Sequence, residues 1–195
     1  MSEIKHNAPV ATTAQDYVLH KTVVMVGMMG AGKTAVGRAL AARLGVPFLD
    51  SDAEIESAAN MTIPEIFERD GEPFFRQKES QVIGRLLSEE RGILSTGGGA
   101  FLSPENRRMI SEQGASLWLR ADLEVLWNRV RHKDTRPLLR TANPHATLRA
   151  LYEARVPVYG EADLIAESDG ETSIETMVDR VVAALLTRPD VLERK

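Results

Sequence analysis

Gly27-Met28-Met29-Gly30-Ala31-Gly32-Lys33-Thr34 carries the residue types and spacing most ready for chemistry in this chain. The pattern is G-x-x-x-x-G-K-[ST], that of a loop that cradles phosphates. Its glycines let backbone N–H groups close around phosphate oxygens where side chains would stand in the way. A helix starting after Gly32 adds the positive end of its dipole at the same place. Lys33 is placed to reach β- and γ-phosphates, and Thr34 to offer its hydroxyl to Mg²⁺. Gly30, Ala31, Gly32, Lys33, Thr34 and Ala35 are therefore the candidate nucleotide-binding residues. The motif requires a strand before it and a helix after it. The apolar run Val23-Val24-Met25-Val26 and the helical pattern from Thr34 to Leu44 supply both. The expected ligand is a nucleoside triphosphate.

Other segments carry chemistry of a complementary kind. Phe48-Leu49-Asp50-Ser51-Asp52 ends a second apolar run. In open α/β sheets, ligands sit beyond the carboxyl ends of the strands. Asp50 and Asp52 are thus expected to face the same crevice as the phosphate loop, on one face of an extended strand. One suits a water-bridged Mg²⁺, the other a substrate hydroxyl that must lose its proton. The plainer alternative is that Asp52 only caps a helix Ala53–Ala59. Gly97-Gly98-Gly99 follows a third run, and a plain turn seldom needs three glycines; close backbone approach to a ligand does. Arg76, Arg129, Arg136 and Arg155 offer planar forks that fit carboxylates and phosphates. The basic segment from His132 to Thr141 joins two helical patterns and is expected to act as a lid over phosphates.

The elements that must position these groups alternate along the chain. Apolar runs at Thr22–Val26, Pro47–Leu49, Gly92–Ser95, Ser116–Leu119 and Leu164–Ala166 read as strands separated by helices. That alternation predicts a parallel sheet with helices on both faces. Gly45 reads as a helix stop, and Thr62 with Glu65 as a capping box. Asp122 reads as the cap of a helix toward Arg131, and Thr172 with Glu175 as the start of a last helix, Ser173 to Leu186. The 195 residues suit one domain with a proper core. We expect a loose tail over residues 1–20, a single domain over 21–188 and a short tail over 189–195. The net charge of −4 argues against an extended nucleic-acid surface. No cysteine is present, so disulfides and thiolate metal sites are excluded. No apolar run approaches the roughly 18 residues of a membrane span, and the first residues lack the apolar centre of a signal peptide. A cytoplasmic monomer without nucleic-acid or membrane partners is the expectation.

Taken in order, GMMGAGKT, FLDSD, IFERDGEPFFRQKE, STGGGA, TRPLL and EARVPVYGEAD resemble the shikimate kinase family from about Lys21 to Leu186. The resemblance implies a three-layer α/β/α P-loop kinase fold, similar to nucleoside monophosphate kinases with a lid. Its five-stranded parallel sheet would be ordered 2-3-1-4-5. It implies transfer of the γ-phosphate of ATP, with Mg²⁺, to the 3-hydroxyl of shikimate, on the route to chorismate and aromatic amino acids. By the same resemblance Asp52 binds the shikimate hydroxyls, and Arg76 and Arg155 clamp its carboxylate. Gly98 touches the substrate through its backbone. Thr34 and Asp50 attend the metal, Arg136 approaches the phosphates from the lid, and Arg129 lies beside the adenine. Lys33, Asp52 and Arg136 would carry the catalysis. Ala35 departs from the pattern, since many members carry a second hydroxyl there. The rival readings are another small-molecule kinase of the same fold, such as a gluconate kinase, and a nucleotide-binding module without activity.

Overall fold

The computed structural model describes residues 16–132 and 139–195. Thr22–Val26 is strand β2, and every one of its residues is buried. It is flanked by β4 (Ile93–Ser95) on one side and β5 (Gly114–Ala121) on the other. β3 (Phe48–Asp50) pairs with β4, and β6 (Leu164–Ser168) with β5, all in parallel. The sheet order β3-β4-β2-β5-β6 is 2-3-1-4-5 when its own strands are counted along the chain, as expected. The reversal of strand order beside β2 opens a crevice at its carboxyl end, where the phosphate loop leaves the sheet. Continuous apolar runs suit strands buried on both faces. Val23, Met25, Ile93, Leu94 and Leu117 are fully buried in the core that the flanking helices close.

Helix α1 (Lys33–Leu44) follows the phosphate loop and ends at Gly45, whose φ of 65° and N–H bonds to Ala41 and Ala42 confirm the expected stop. It packs on α8 (Ile174–Leu185). Helices α2 (Ser51–Ala59), α3 (Ile63–Asp70) and α4 (Glu72–Glu89) form a satellite body with its own apolar centre. Ile55, Ile66 and Phe75 meet there, and the Phe67 and Phe75 rings lie 4.7 Å apart. The Thr62–Glu65 capping box starts α3 as anticipated. Helix α5 (Pro104–Gln113) packs on α4 and β5, α6 (Leu123–Val130) follows β5, and α7 (Pro144–Tyr159) packs on α6.

Both ends of the described chain fold further than the sequence led us to expect. Tyr17–Leu19 (β1) and Leu192–Arg194 (β7) form an antiparallel ribbon, so residues 17–19 and 192–194 are not loose tails. Tyr17, Leu19, Val191 and Leu192 are buried in it. Three further expectations are corrected. α2 begins at Ser51, so Asp52 lies in its first turn rather than on the strand with Asp50. The last helix is capped by Ser173, not Thr172, because Thr172 bonds to Asp169 instead. Asp122 sits at the start of α6 but makes no capping hydrogen bond.

Candidate active site

The phosphate loop has the backbone that its glycines predict. Gly30 and Gly32 take φ of 82° and 94°, and Gly32 precedes α1 with no side-chain cap. No acidic residue occupies the first turn, so the N-terminal amides of α1 face an anion unopposed. Lys33 folds over the loop, its Nζ donating to Gly27 O at 2.7 Å and Met28 O at 3.0 Å. Thr34 and Ala35 are exposed at the helix start. Arg129, from the end of α6, grips the loop from the other side. Its Nη1 donates to Gly30 O (3.0 Å) and Ala31 O (3.3 Å), and its Nη2 to Ser168 Oγ (3.0 Å). Arg136 and the rest of the segment 133–138 lie outside the described residues.

The two carboxylates at the end of β3 divide their work. Asp50, not Asp52, caps α2: its Oδ1 accepts from the N–H groups of Asp52 (3.0 Å) and Ala53 (3.2 Å). Asp52 is thereby released from the capping role that was its plainer alternative. Burial, and then the Asp50 and Glu79 carboxylates, push its pKa up to about 6, while Lys33 pulls the other way. A carboxylate tuned into this range beside a lysine is suited to accept a proton near neutral pH.

The triple glycine makes room for polar side chains from three other elements. A Cβ on Gly97 would stand 3.1 Å from both carboxylate oxygens of Asp52. One on Gly98 would lie 2.8 Å from Arg155 Nη1, and one on Gly99 only 2.4 Å from Arg76 Nη2. Each bare Cα therefore makes room for one of the three polar groups, so that Asp52, Arg76 and Arg155 all stand beside this turn. Lys33 is nearby: its Nζ donates to Gly27 O, which lies 3.9 Å from the same Cβ position on Gly98, and its charge acts on Asp52.

Two residues that the sequence did not single out complete the site. Glu79, 1% exposed, accepts from Arg76 Nη1 at 2.8 Å, one helical turn along α4. Burial pushes its carboxyl up, and Arg76 pulls back only part of the way. Tyr159, fully buried, donates its phenol to Gly98 O at 2.5 Å. Helical spacing held both signals, with Glu79 at i+3 from Arg76 and Tyr159 at i+4 from Arg155. Neither could be told from an ordinary surface pair or a core aromatic by sequence alone.

The shikimate kinase profile matches residues 29–186. The chain belongs to the shikimate kinase family. It is 77% identical over 193 residues to a shikimate kinase of Ruegeria pomeroyi, covering 99% of both chains. In structure it resembles the shikimate kinase of Acinetobacter baumannii in complex with shikimate, with a TM-score of 0.80 and 39% identity over 86% of this chain and 93% of that one. A gluconokinase of Sinorhizobium meliloti, at 22% identity and a TM-score of 0.59, covers 88% of this chain and 94% of its own; it shares the fold alone. Family members phosphorylate shikimate with ATP and Mg²⁺, and the fold and cofactors follow for this chain.

The residues present fit the metal. Among the described residues no group of three or more His, Cys, Asp or Glu forms a cage for an ion. Mg²⁺ needs none when a triphosphate supplies oxygens, since one or two protein oxygens and waters complete its shell. The exposed Thr34 hydroxyl and the half-buried Asp50 carboxylate are of that kind.

Proposed function

We propose that this chain transfers the γ-phosphate of ATP to the 3-hydroxyl of shikimate through the residues gathered around Gly97–Gly99. The convergence of Asp52, Arg76 and Arg155 on that turn carries the proposal. Shikimate offers one carboxylate and three hydroxyls. Two guanidinium forks match the carboxylate, and the Asp52 carboxylate matches a hydroxyl. Gly98 lends its backbone at the same place.

Phosphoryl transfer needs in-line positioning and charge neutralisation more than covalent help. The amides of Gly30 to Ala35 cradle the phosphates. Lys33 exchanges its loop carbonyls for β- and γ-phosphate oxygens. Thr34 and Asp50 would hold Mg²⁺ together with the phosphates, where the ion would supply positive charge against that of the transferring group. Asp52 aligns the attacking hydroxyl and takes its proton as the new P–O bond forms and ADP departs. Arg129 braces the loop where the adenine side begins, and Arg136 keeps the phosphate-facing role that the resemblance implies. We infer also that the chain works as a monomer in the cytoplasm, with shikimate and ATP as its partners and neither nucleic acid nor membrane; its net charge of −4 fits that inference.

Coupling ADP release to an optical readout tests the function. Shikimate is expected to stimulate release, with gluconate, AMP or no acceptor giving only background. Stimulation by gluconate or AMP and not by shikimate would overturn it.

A further inference from the structure

We propose that Tyr159 is a positioning residue for the acceptor's carboxylate, fixing Arg155 and the Gly97–Gly99 turn in register through one phenol oxygen. The proposal rests on the acceptor reading above and assigns a part of that site to a side chain that touches neither substrate.

Arg155 and Tyr159 stand four residues apart on α7 and so share a face of the helix. The phenol donates to Gly98 O at 2.5 Å. The Arg155 guanidinium stands beside the same phenol, Nη1 lying 2.8 Å and the phenol oxygen 3.6 Å from the position of a Cβ on Gly98, and its charge partly offsets the burial that raises the phenol's pKa. The oxygen therefore stays protonated and remains a donor to Gly98 throughout the working pH range. The neighbouring carbonyls are held locally: Gly97 O takes the Ala100 N–H at 3.1 Å, and Gly99 O takes the Leu102 N–H at 3.2 Å. Tyr159 is, among the described hydrogen bonds, the tie from another element to the turn's carbonyls.

The ring extends the same register to the donor side. It packs on Trp118 with centroids 6.0 Å apart, and a Cβ on Gly27 would stand 3.4 Å from Trp118 Cδ1. Tyr159 thus stands where α7, the glycine turn and the root of the phosphate loop meet. An arginine is long, and ordering it on a ligand costs side-chain entropy. A guanidinium already anchored by a fixed oxygen gives up less when a carboxylate arrives. The phenol supplies that anchor and keeps the Gly98 peptide plane from turning.

Tyr159→Phe keeps the ring and removes the oxygen alone. It is expected to raise the KM for shikimate about tenfold, the size of one lost preorganising bond. The kcat and the KM for ATP should stay within about twofold of wild type. Because Tyr159 acts through Arg155, Tyr159→Phe combined with Arg155→Ala should be no worse than Arg155→Ala alone. A shikimate analogue with its carboxylate reduced to an alcohol should show the same KM with wild type and Tyr159→Phe. An unchanged shikimate KM in Tyr159→Phe overturns the proposal. So do additive losses in the double variant, a KM difference on the reduced analogue, or a parallel fall in every constant with a lower Tm. If the wild-type chain fails to phosphorylate shikimate, the functional reading falls and the positioning role falls with it. If wild type is active and only these comparisons fail, the positioning role alone is lost.

Discussion

Asp52 answers two opposed demands, and its pKa records the conflict. Burial beside Asp50 and Glu79 penalises its charge, yet the proton acceptance we propose for it requires that charge. The side chain should therefore lower turnover as it becomes protonated, with kcat/KM falling as pH drops through about 6. A pH–rate profile checks this, and Asp52→Asn should cut kcat at least about a hundredfold while leaving ATP binding intact. Stability responds with the opposite sign. Between the ordinary carboxylate value of 3.8 and about 6, the folded chain holds more proton at Asp52 than the unfolded one. Stability then falls as pH rises through that window, and above it the ionised group costs about 3 kcal/mol at most. Asp52→Asn should accordingly melt several degrees above wild type at pH 8 and lose that advantage near pH 4. Calorimetry at the two pH values reads the difference. A substitution that removes activity and adds thermal stability marks a residue kept for chemistry rather than for packing.

Glycines at two turns separate elements that shape the site from elements that shape the sheet. At Gly99 an added methyl meets the far end of the Arg76 side chain, which can swing aside. At Gly92 it meets the Pro47 carbonyl at 2.3 Å, backbone against backbone at the edge of β4. Gly99→Ala is expected to fold with a Tm near wild type and a shikimate KM raised tenfold or more. Gly92→Ala is expected to lose about 3 kcal/mol or fail to fold. Thermal melts and steady-state kinetics on the pair distinguish the two cases. The same elements show what a sequence can disclose. The phosphate loop, the parallel strands and the Thr62 cap were legible because their signals are local, set by residues a few positions apart. The sequence places Asp50 and Asp52 together on one strand face, and the structure parts them, with Asp50 ending β3 and Asp52 inside α2. An aspartate at the last strand position and one two residues on read alike until the helix start is fixed at Ser51. The β1–β7 ribbon left no local trace: each strand has three residues, and their pairing spans nearly the whole chain. Glu79 and Tyr159 were hidden for a related reason, since burial decides what they do and burial is a property of the assembled helices.

At the scale of the molecule, the proposed acceptor site is drawn from four separated places: the start of α2, the start of α4, the turn after β4 and the last turns of α7. Integrity of the whole fold is therefore a condition of the site. The terminal ribbon contributes to that integrity, burying Val191 and Leu192 with Tyr17 and Leu19. Truncation after Asp190 should lower the Tm by about 10 °C, as expected for several kcal/mol of lost apolar burial in a chain of this size. The ribbon has another consequence. The Lys195 N–H donates to Asp16 O at 2.9 Å, so the two ends of the described fold touch. A short linker then suffices to join Lys195 to Asp16, with the chain reopened at the exposed Asn60 turn between α2 and α3. Closing so short a gap costs little loop entropy. A circularly permuted chain of this kind should still consume ATP in the presence of shikimate, because the order in which the backbone visits its elements would change while their neighbours would not.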